Sequence, residues 1–176
     1  GALSATLTWK NPQTDGTGTD ITGELAIGIY RDNKLLTAIT ENVTPGGTSS
    51  YTDTSMDNGM HTYSVIAKTG EGQSKAVSKR AYIGEDVPAE VENLNAYVSE
   101  GQTIITWNAP TKGMNKGYIN TENLTYTIER KTDNGTEVIA EGIKERQYTD
   151  KVSAGALHSY IVTASNNTGT SKPITS

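Results

Sequence analysis

Two side chains that titrate near neutral pH, His61 and His158, are the first candidates for chemistry. A histidine can act as a general base, but nucleophilic catalysis also needs a nucleophile beside it and a third group that orients it. Serine and threonine are plentiful, yet no Gly-x-Ser-x-Gly motif occurs. Each histidine precedes a Tyr by two residues and a Val by four. Histidines at equivalent positions of a repeat indicate a structural role in each copy.

The acidic residues could serve as paired catalytic carboxylates or as ligands of a cation. Asp15, Asp20 and Glu24 lie in one Gly- and Thr-rich loop, and such oxygen-rich loops can bind Ca²⁺. Their spacing matches no EF-hand, and the counterpart loop further along the chain carries Lys112 and Lys116 instead. We therefore predict no catalytic, cofactor-binding or metal-binding residues, and calcium binding by the Asp15/Asp20 loop stays open.

Aromatic side chains offer a third possibility, the stacking of sugars on exposed rings. Tyr82, Tyr97 and Tyr118 are the candidates for such a platform. Packing between domains would be an equally good use of these rings.

Composition excludes several classes of function. The 176 residues carry a net charge of -5 and no cysteine, so disulfides, thiolate catalysis and Cys-ligated zinc are absent. The acidic balance and the lack of a Lys/Arg cluster argue against nucleic-acid binding. No run of about 18 apolar residues occurs, so we expect no direct membrane insertion. The chain opens at Gly1 instead of Met, and we expect it to be part of a longer protein.

The chain repeats itself. Six anchors recur in the same order at an offset of 97 to 99 residues, which indicates two homologous units. The matching pairs are Trp9 and Trp107, Arg31 and Arg130, Tyr51-Thr52-Asp53 and Tyr148-Thr149-Asp150, His61 and His158, Ala67 and Ala164, and Gly72-Gln73-Ser74 and Gly169-Thr170-Ser171.

Within each unit the apolar residues alternate with polar ones, which is the pattern of half-buried β-strands. Ala5, Leu7 and Trp9 form one such set, for which we predict burial on one face. Asn134-Gly135 between alternating runs predicts a hairpin. No segment shows a sustained 3.6-residue period, so six or seven short antiparallel strands per unit are expected.

These anchors resemble the fibronectin type III family, twice, over essentially the whole chain. The resemblance is carried by a Trp on the second strand, a Tyr-x-Ile-x-Arg strand, a Tyr-Thr-Asp and a Tyr-x-Val-x-Ala-x-Asn-x-x-Gly-x-Ser run. In the second unit these are Trp107, Tyr126-Ile128-Arg130, Tyr148-Thr149-Asp150 and Tyr160–Ser171. The resemblance implies an all-β protein of two immunoglobulin-like β-sandwiches in tandem, with strands named A to G. It also places His61 and His158 where the family has a corner tyrosine that bonds back to the backbone of the E–F turn.

The domain boundary is predicted in a short polar hinge, Gly84–Pro88, which gives domains 1–84 and 85–176. Only about four residues precede the strand of Trp9, so we predict that the first unit lacks strand A and shows an incomplete sheet. The short linker should hold one preferred angle between the units.

The resemblance implies modules of large extracytoplasmic bacterial proteins. We expect non-catalytic spacer and presentation modules of a larger secreted or cell-surface protein, monomeric and without enzymatic activity or cofactor. Their partners would be neighbouring domains of the parent chain. The alternative is a carbohydrate- or protein-binding adhesion module attached to an extracellular enzyme, with a glycan or a protein as its ligand.

Overall fold

The computed structural model describes residues 2–151 and 158–176. The chain divides into an N-terminal unit, Ala2–Gly84, and a C-terminal unit, Glu85–Ser176. Apart from a 3₁₀ turn at Thr121–Asn123, the regular secondary structure of the described residues is β-strand, as the alternating pattern predicts. No helix among these residues is long and apolar enough to cross a membrane.

The N-terminal unit contains seven strands among its described residues. They are β1 (Ala5–Lys10), β2 (Ala26–Arg31), β3 (Lys34–Ile39), β4 (Thr48–Asp53), β5 (Gly59–Thr69), β6 (Gly72–Gln73) and β7 (Val77–Ile83). One sheet pairs β1 with β4, and the other has the order β3-β2-β5 with β6 and β7 both on β5. The β2–β3 turn uses Asp32 and Asn33, both at positive φ, as a two-residue hairpin requires.

The C-terminal unit repeats this plan with one more strand. Its strands are β8 (Glu92–Ser99), β9 (Gln102–Asn108), β10 (Thr125–Thr132), β11 (Gly135–Ile143), β12 (Gln147–Asp150), β13 (Ser159–Asn166), β14 (Gly169–Thr170) and β15 (Ile174–Thr175). The sheets have the orders β12-β9-β8 and β11-β10-β13, with β14 and β15 both on β13. The hairpin predicted at Asn134-Gly135 is confirmed as the β10–β11 connection.

The two units differ at the strand that precedes the tryptophan. In the C-terminal unit, β8 pairs antiparallel with β9, whereas Ala2–Ser4 form no strand on β1. The prediction that the first unit lacks strand A is confirmed for the described residues. Among residues 2–151 and 158–176, β1 pairs with β4 alone.

The hydrophobic cores of the two units differ as well. In the C-terminal unit ten buried residues, Trp107 and Tyr126 among them, form one cluster, and the rings of these two meet edge to face at 5.3 Å. The N-terminal unit has two smaller clusters, one around Ile27 and Ile29 and one around Tyr63.

The predicted burial of both tryptophans is right for Trp107, which is 3% exposed, and wrong for Trp9, which is only half-buried. Leu7, on the same face of β1, is half-buried too. The physical reason is the missing neighbour. In the C-terminal unit Leu94 and Ala96 of β8 pack against the core that contains Trp107, and β1 has no such cover.

Candidate functional site

A cluster of Arg, Asp and Tyr is built into each sandwich at equivalent positions. In the N-terminal unit Arg31, at the end of β2, forms an ion pair with Asp53, at the end of β4. The Tyr63 hydroxyl on β5 donates to the same carboxylate at 3.0 Å. Because β4 belongs to one sheet and β2 and β5 to the other, the carboxylate of Asp53 joins the two sheets.

The C-terminal unit repeats this arrangement. Arg130 donates to both oxygens of Asp150, at 3.0 and 2.8 Å, and the Tyr160 hydroxyl donates to Oδ2 at 3.0 Å. Arg130 also donates to Glu137 at 2.8 Å. The cluster is therefore a repeated structural feature, and its bonds go to partners within the fold.

Burial and bonding set the ionisation of the N-terminal cluster. Burial opposes the charge on Asp53, but hydrogen bonds from Ser55, Tyr63 and Arg31 outweigh it and hold the pKa of Asp53 below its usual range. Burial and the hydrogen bond to Asp53 raise the pKa of Tyr63 to about 12. At neutral pH the cluster therefore holds an ionised Asp and a neutral Tyr.

The predicted role of His61, a hydrogen bond to the backbone of the turn before its own strand, is confirmed. Its Nε2 lies 2.9 Å from the carbonyl oxygen of Asp57, in the turn between β4 and β5. Its Nδ1 lies 2.7 Å from Oδ2 of Asp32, a partner that the sequence did not suggest. The Asp32 hydrogen bond, followed by the Asp57 carbonyl, raises the pKa of His61. The side chain thus fastens the β4–β5 turn to the β2–β3 turn.

For His158 the structure gives a different environment. Both ring nitrogens are buried, and no described residue bonds to either. The E–F turn on which its prediction depends falls in residues 152–157, outside the described residues. The backbone bond predicted for His158 is therefore not found among the described residues.

The Asp15/Asp20 loop is organised by hydrogen bonds within the loop. Oδ1 of Asp15 accepts from the backbone N–H groups of Thr17 and Thr19 and from the Thr17 hydroxyl, at 2.7 to 2.9 Å. The Thr17 hydroxyl bond, then the Thr19 backbone bond, lowers the pKa of Asp15. Asp20 and Glu24 are exposed. Among residues 2–151 and 158–176, no three acidic or histidine side chains converge as a metal site would need.

Residues 85–87, within the segment predicted as the domain boundary, are bonded to other parts of the C-terminal unit. The Asp86 side chain is fully buried and accepts from the backbone N–H groups of Asn115 and Gly117, at 2.8 and 3.1 Å. Its own carbonyl accepts from Nδ2 of Asn166 at 2.8 Å. A methyl group at Gly113 would lie 2.3 Å from the Asp86 carboxyl, so the loop closes tightly over this acid.

The three candidate tyrosines fall into two groups. Tyr97 and Tyr118 are 46% and 53% exposed. Tyr82 is half-buried, and its hydroxyl accepts from Nδ2 of Asn58 at 3.3 Å. Tyr97 and Tyr118 are therefore the rings available for stacking.

A groove of about 760 Å³ follows the unpaired side of β1 and reaches β7. Its apolar lining comes from β1, β2, β5 and β7, and comprises Ala5, Leu7, Trp9, Ile27, Val65, Ala67, Val77 and Ala81. The sequence predicted that the first unit lacks strand A. It did not predict the groove, because the groove depends on where β7 lies relative to β1.

The strand order defines the class of protein: each unit is a fibronectin type III-like β-sandwich, and the chain is a tandem of two. No protein-family model matches the chain, and no curated protein sequence is significantly similar to it.

Similar solved structures include a segment of two fibronectin type III domains from chicken tenascin, at 14% identity and a TM-score of 0.40, covering 98% of this chain and 90% of that one. A Fn3-like protein from Clostridium thermocellum has 27% identity and a TM-score of 0.38, covering 50% and 90%. Domains A168-A170 of titin have 18% identity and a TM-score of 0.42, covering 97% and 56%.

Proposed function

We propose that the chain is a pair of non-catalytic spacer and presentation modules of a larger secreted or cell-surface bacterial protein. In this role the sandwiches hold neighbouring domains of the parent chain at a set spacing. The proposal is supported by the hydrogen bonds and ion pairs that the reactive side chains make within the fold. Arg31, Asp53, Tyr63 and His61 have catalytic potential, and all four bond to partners within the fold.

The observation that carries the proposal is the bonding of the connecting segment. Besides the Asp86 side chain, the backbone N–H of Asp86 donates to the Tyr118 carbonyl at 2.7 Å, and the Val87 carbonyl accepts from Met114 at 2.9 Å. The Glu85 carbonyl accepts from the Thr168 hydroxyl at 3.2 Å. A connector whose backbone groups are satisfied within one module is ordered with that module, as a spacer requires.

The exposure of Tyr97 and Tyr118 favours a second candidate, a carbohydrate-binding module. Exposed aromatic rings supply apolar faces on which sugar rings can stack. If this were the function, a variant lacking both rings, Tyr97→Ala with Tyr118→Ala, would lose glycan binding and keep its fold.

The test combines a glycan array with ¹⁵N relaxation of the intact chain. The spacer proposal predicts no glycan retained at micromolar concentration. It also predicts that the amides of residues 85–87 have order parameters as high as those of β9. A reproducible micromolar glycan that the Tyr97/Tyr118 double variant fails to bind would replace the spacer with the binding module. Order parameters typical of a flexible chain at residues 85–87 would also contradict the spacer.

A further inference from the structure

The dipeptide Asn-Gly occurs twice in the chain, at Asn58-Gly59 and at Asn134-Gly135. An aspartate precedes each copy, so the two sites share the same three residues. An asparagine that precedes a glycine is prone to lose its side-chain amide, because glycine has no Cβ to hinder the approach of its backbone nitrogen to the asparagine side chain. The two local sequences therefore predict similar reactivity, and a difference between the sites has to come from the fold.

The reaction, deamidation, needs only water as a co-reactant. The backbone nitrogen of the glycine loses its proton and attacks Cγ of the asparagine, which forms a C–N bond and expels the side-chain amide as ammonia. The product is a five-membered succinimide ring. Water then cleaves either the new bond to Cγ, which gives aspartate, or the bond to the backbone carbonyl carbon, which gives isoaspartate. In sum, asparagine and water give the acid and ammonia, and nothing is oxidised or reduced.

Asn134-Gly135 lies at the tip of the β10–β11 hairpin, and both residues are exposed. The backbone N–H of Asn134 donates to the Thr132 hydroxyl at 3.2 Å, and no hydrogen bond to the Asn134 side chain is found among residues 2–151 and 158–176. A Cβ built at Gly135 would meet nothing within 4 Å. Gly135 forms the end pair of the ladder with Thr132, and end pairs open most easily. The Asn134 amide can therefore turn onto the Gly135 nitrogen without breaking a side-chain hydrogen bond.

Asn58 is exposed as well, but contacts hold its side chain. Its Nδ2 donates to the Tyr82 hydroxyl on β7 at 3.3 Å. Its Oδ1 lies against Gly84 so closely that a Cβ at that glycine would clash with it. Gly59 is half-buried and pairs with Ile83 of β7. The Asn58 amide must leave these contacts before its Cγ can reach the Gly59 nitrogen, which raises the barrier to the reaction.

We propose that Asn134 is a site of spontaneous deamidation and that the fold protects Asn58 from the same reaction. The products at position 134 are aspartate and isoaspartate. Each adds one negative charge to a chain whose net charge is -5. Isoaspartate also adds one carbon to the main chain, because the chain then runs through Cβ and Cγ. The proposal goes beyond the spacer role and does not depend on it.

The extra carbon falls where the register of the β10–β11 hairpin begins. Thr132 pairs with Gly135 and Lys131 with Thr136, on the two sides of the turn. A longer turn cannot hold these first pairs in the same geometry, because turn type and loop length fix the register of a hairpin. We therefore expect amide hydrogen exchange at Lys131 and Thr136 to be faster in the isoaspartate form than in the original chain.

The experiment incubates the intact chain at pH 8 and 37 °C, once in buffer and once in concentrated urea. Mass spectrometry of peptides, prepared at mildly acidic pH to stop further reaction, follows Asn58 and Asn134 separately. In the folded chain we expect Asn134 to convert at least about tenfold faster than Asn58, which corresponds to a barrier lower by about 1.4 kcal/mol. In urea we expect similar rates, because the local sequences match.

Two variants serve as controls. Asn134→Gln would need a larger ring, so conversion at position 134 should stop while conversion at Asn58 keeps its rate. Asn134→Asp supplies the authentic aspartate product. It carries the added charge without the longer main chain, so exchange at Lys131 and Thr136 should stay as in the original chain.

The proposal fails if Asn134 converts in urea and stays unchanged in the folded chain, because the hairpin would then protect it. It also fails if Asn58 converts in the folded chain as fast as Asn134, because the contacts with Tyr82 and Gly84 would then have no effect. Faster exchange at Lys131 and Thr136 in Asn134→Asp as well would overturn the role given to the longer main chain.

Discussion

Trp9 and Trp107 occupy equivalent positions on β1 and β9, yet only Trp107 is fully buried. Their indole N–H groups differ as well. Nε1 of Trp9 donates to Oδ1 of Asn11 at 2.9 Å, whereas Nε1 of Trp107 is buried with no described partner. Trp9 is therefore partly buried and its indole N–H is hydrogen-bonded. Trp107 is fully buried and its indole N–H has no partner among the described residues.

Truncating the two tryptophans should consequently have unequal effects. Trp107→Ala should cost about 3–5 kcal/mol, because it leaves a large cavity in a closed core. Trp9→Ala should cost about half as much, because solvent already reaches that side of the ring. Urea denaturation measures both, and the remaining tryptophan reports on the unaltered unit. Equal losses of unfolding free energy would mean that the packing of β8 over Trp107 does not add to its contribution to stability.

Removing the Tyr63 hydroxyl tests the polar cluster of the N-terminal unit. Tyr63→Phe should destabilise the unit by about 1–3 kcal/mol, because the buried Asp53 loses one of its donors. Tyr97→Phe, at an exposed ring, is the matched control and should change stability by less than about 0.5 kcal/mol. The free energy of unfolding in urea measures both. A Tyr63→Phe effect as small as that of the control would show that the hydroxyl adds nothing.

The same tyrosine predicts a loss of stability in alkali. The folded pKa of Tyr63, about 12, lies above the ordinary tyrosine value of 10.0. Its contribution is therefore fully present below pH 10 and is lost as the pH rises towards 12. Ultraviolet titration should show a tyrosine that ionises near pH 12, and Tyr63→Phe should remove this late ionisation. Persistence of that late ionisation in the variant would contradict the assignment.

His61 predicts a dependence on pH near neutrality. Its folded pKa is raised by Asp32, so its contribution is fully present below the unfolded pKa of about 6.5 and is lost as the pH rises through the folded value. Asp32, whose pKa is lowered, loses its contribution as the pH falls through its own folded value. Unfolding of the N-terminal unit should thus need more urea at pH 5.5 than at pH 8. His61→Gln should reduce this difference, and an unchanged difference would place its source elsewhere.

Closure of the loop over Asp86 is tested at Gly113. A Cβ there would lie 2.3 Å from the Asp86 side chain, so Gly113→Ala must displace a buried carboxylate from its donors. We expect a loss of about 2 kcal/mol or more in the C-terminal unit. Gly23→Ala, where nothing lies within 4 Å, is the control. Thermal unfolding compares the Gly113→Ala and Gly23→Ala variants. Similar melting temperatures would mean that the loop at Gly113 can move away from Asp86 at little cost in stability.

Local pattern predicted the strands and the repeat because both depend on near neighbours in sequence. The alternation of Ala5, Leu7 and Trp9 predicted β1, and Asn134-Gly135 predicted a hairpin. The short run before Trp9 predicted the incomplete sheet. Each of these inferences needed only the pleat of a strand or the geometry of a turn.

The sites that the sequence did not predict depend on contacts across the fold. Asp53 meets Arg31 and Tyr63 only because three strands from two sheets converge, although the repeated Arg and Tyr-Thr-Asp were visible signals. The sequence placed Asp86 only within a polar hinge, and its partners Asn115 and Gly117 lie about 30 residues further along. No local pattern could reveal those contacts.

The bonding of residues 85–87 also bears on how the connection between the two units resists proteolysis. Proteases cut where several consecutive residues can leave the fold and extend into an active site, and the connections between domains are the usual targets. Here the connector contains a buried Asp86 and lies under the loop that ends at Gly117. Limited proteolysis should therefore begin elsewhere in the chain and leave this connection uncut.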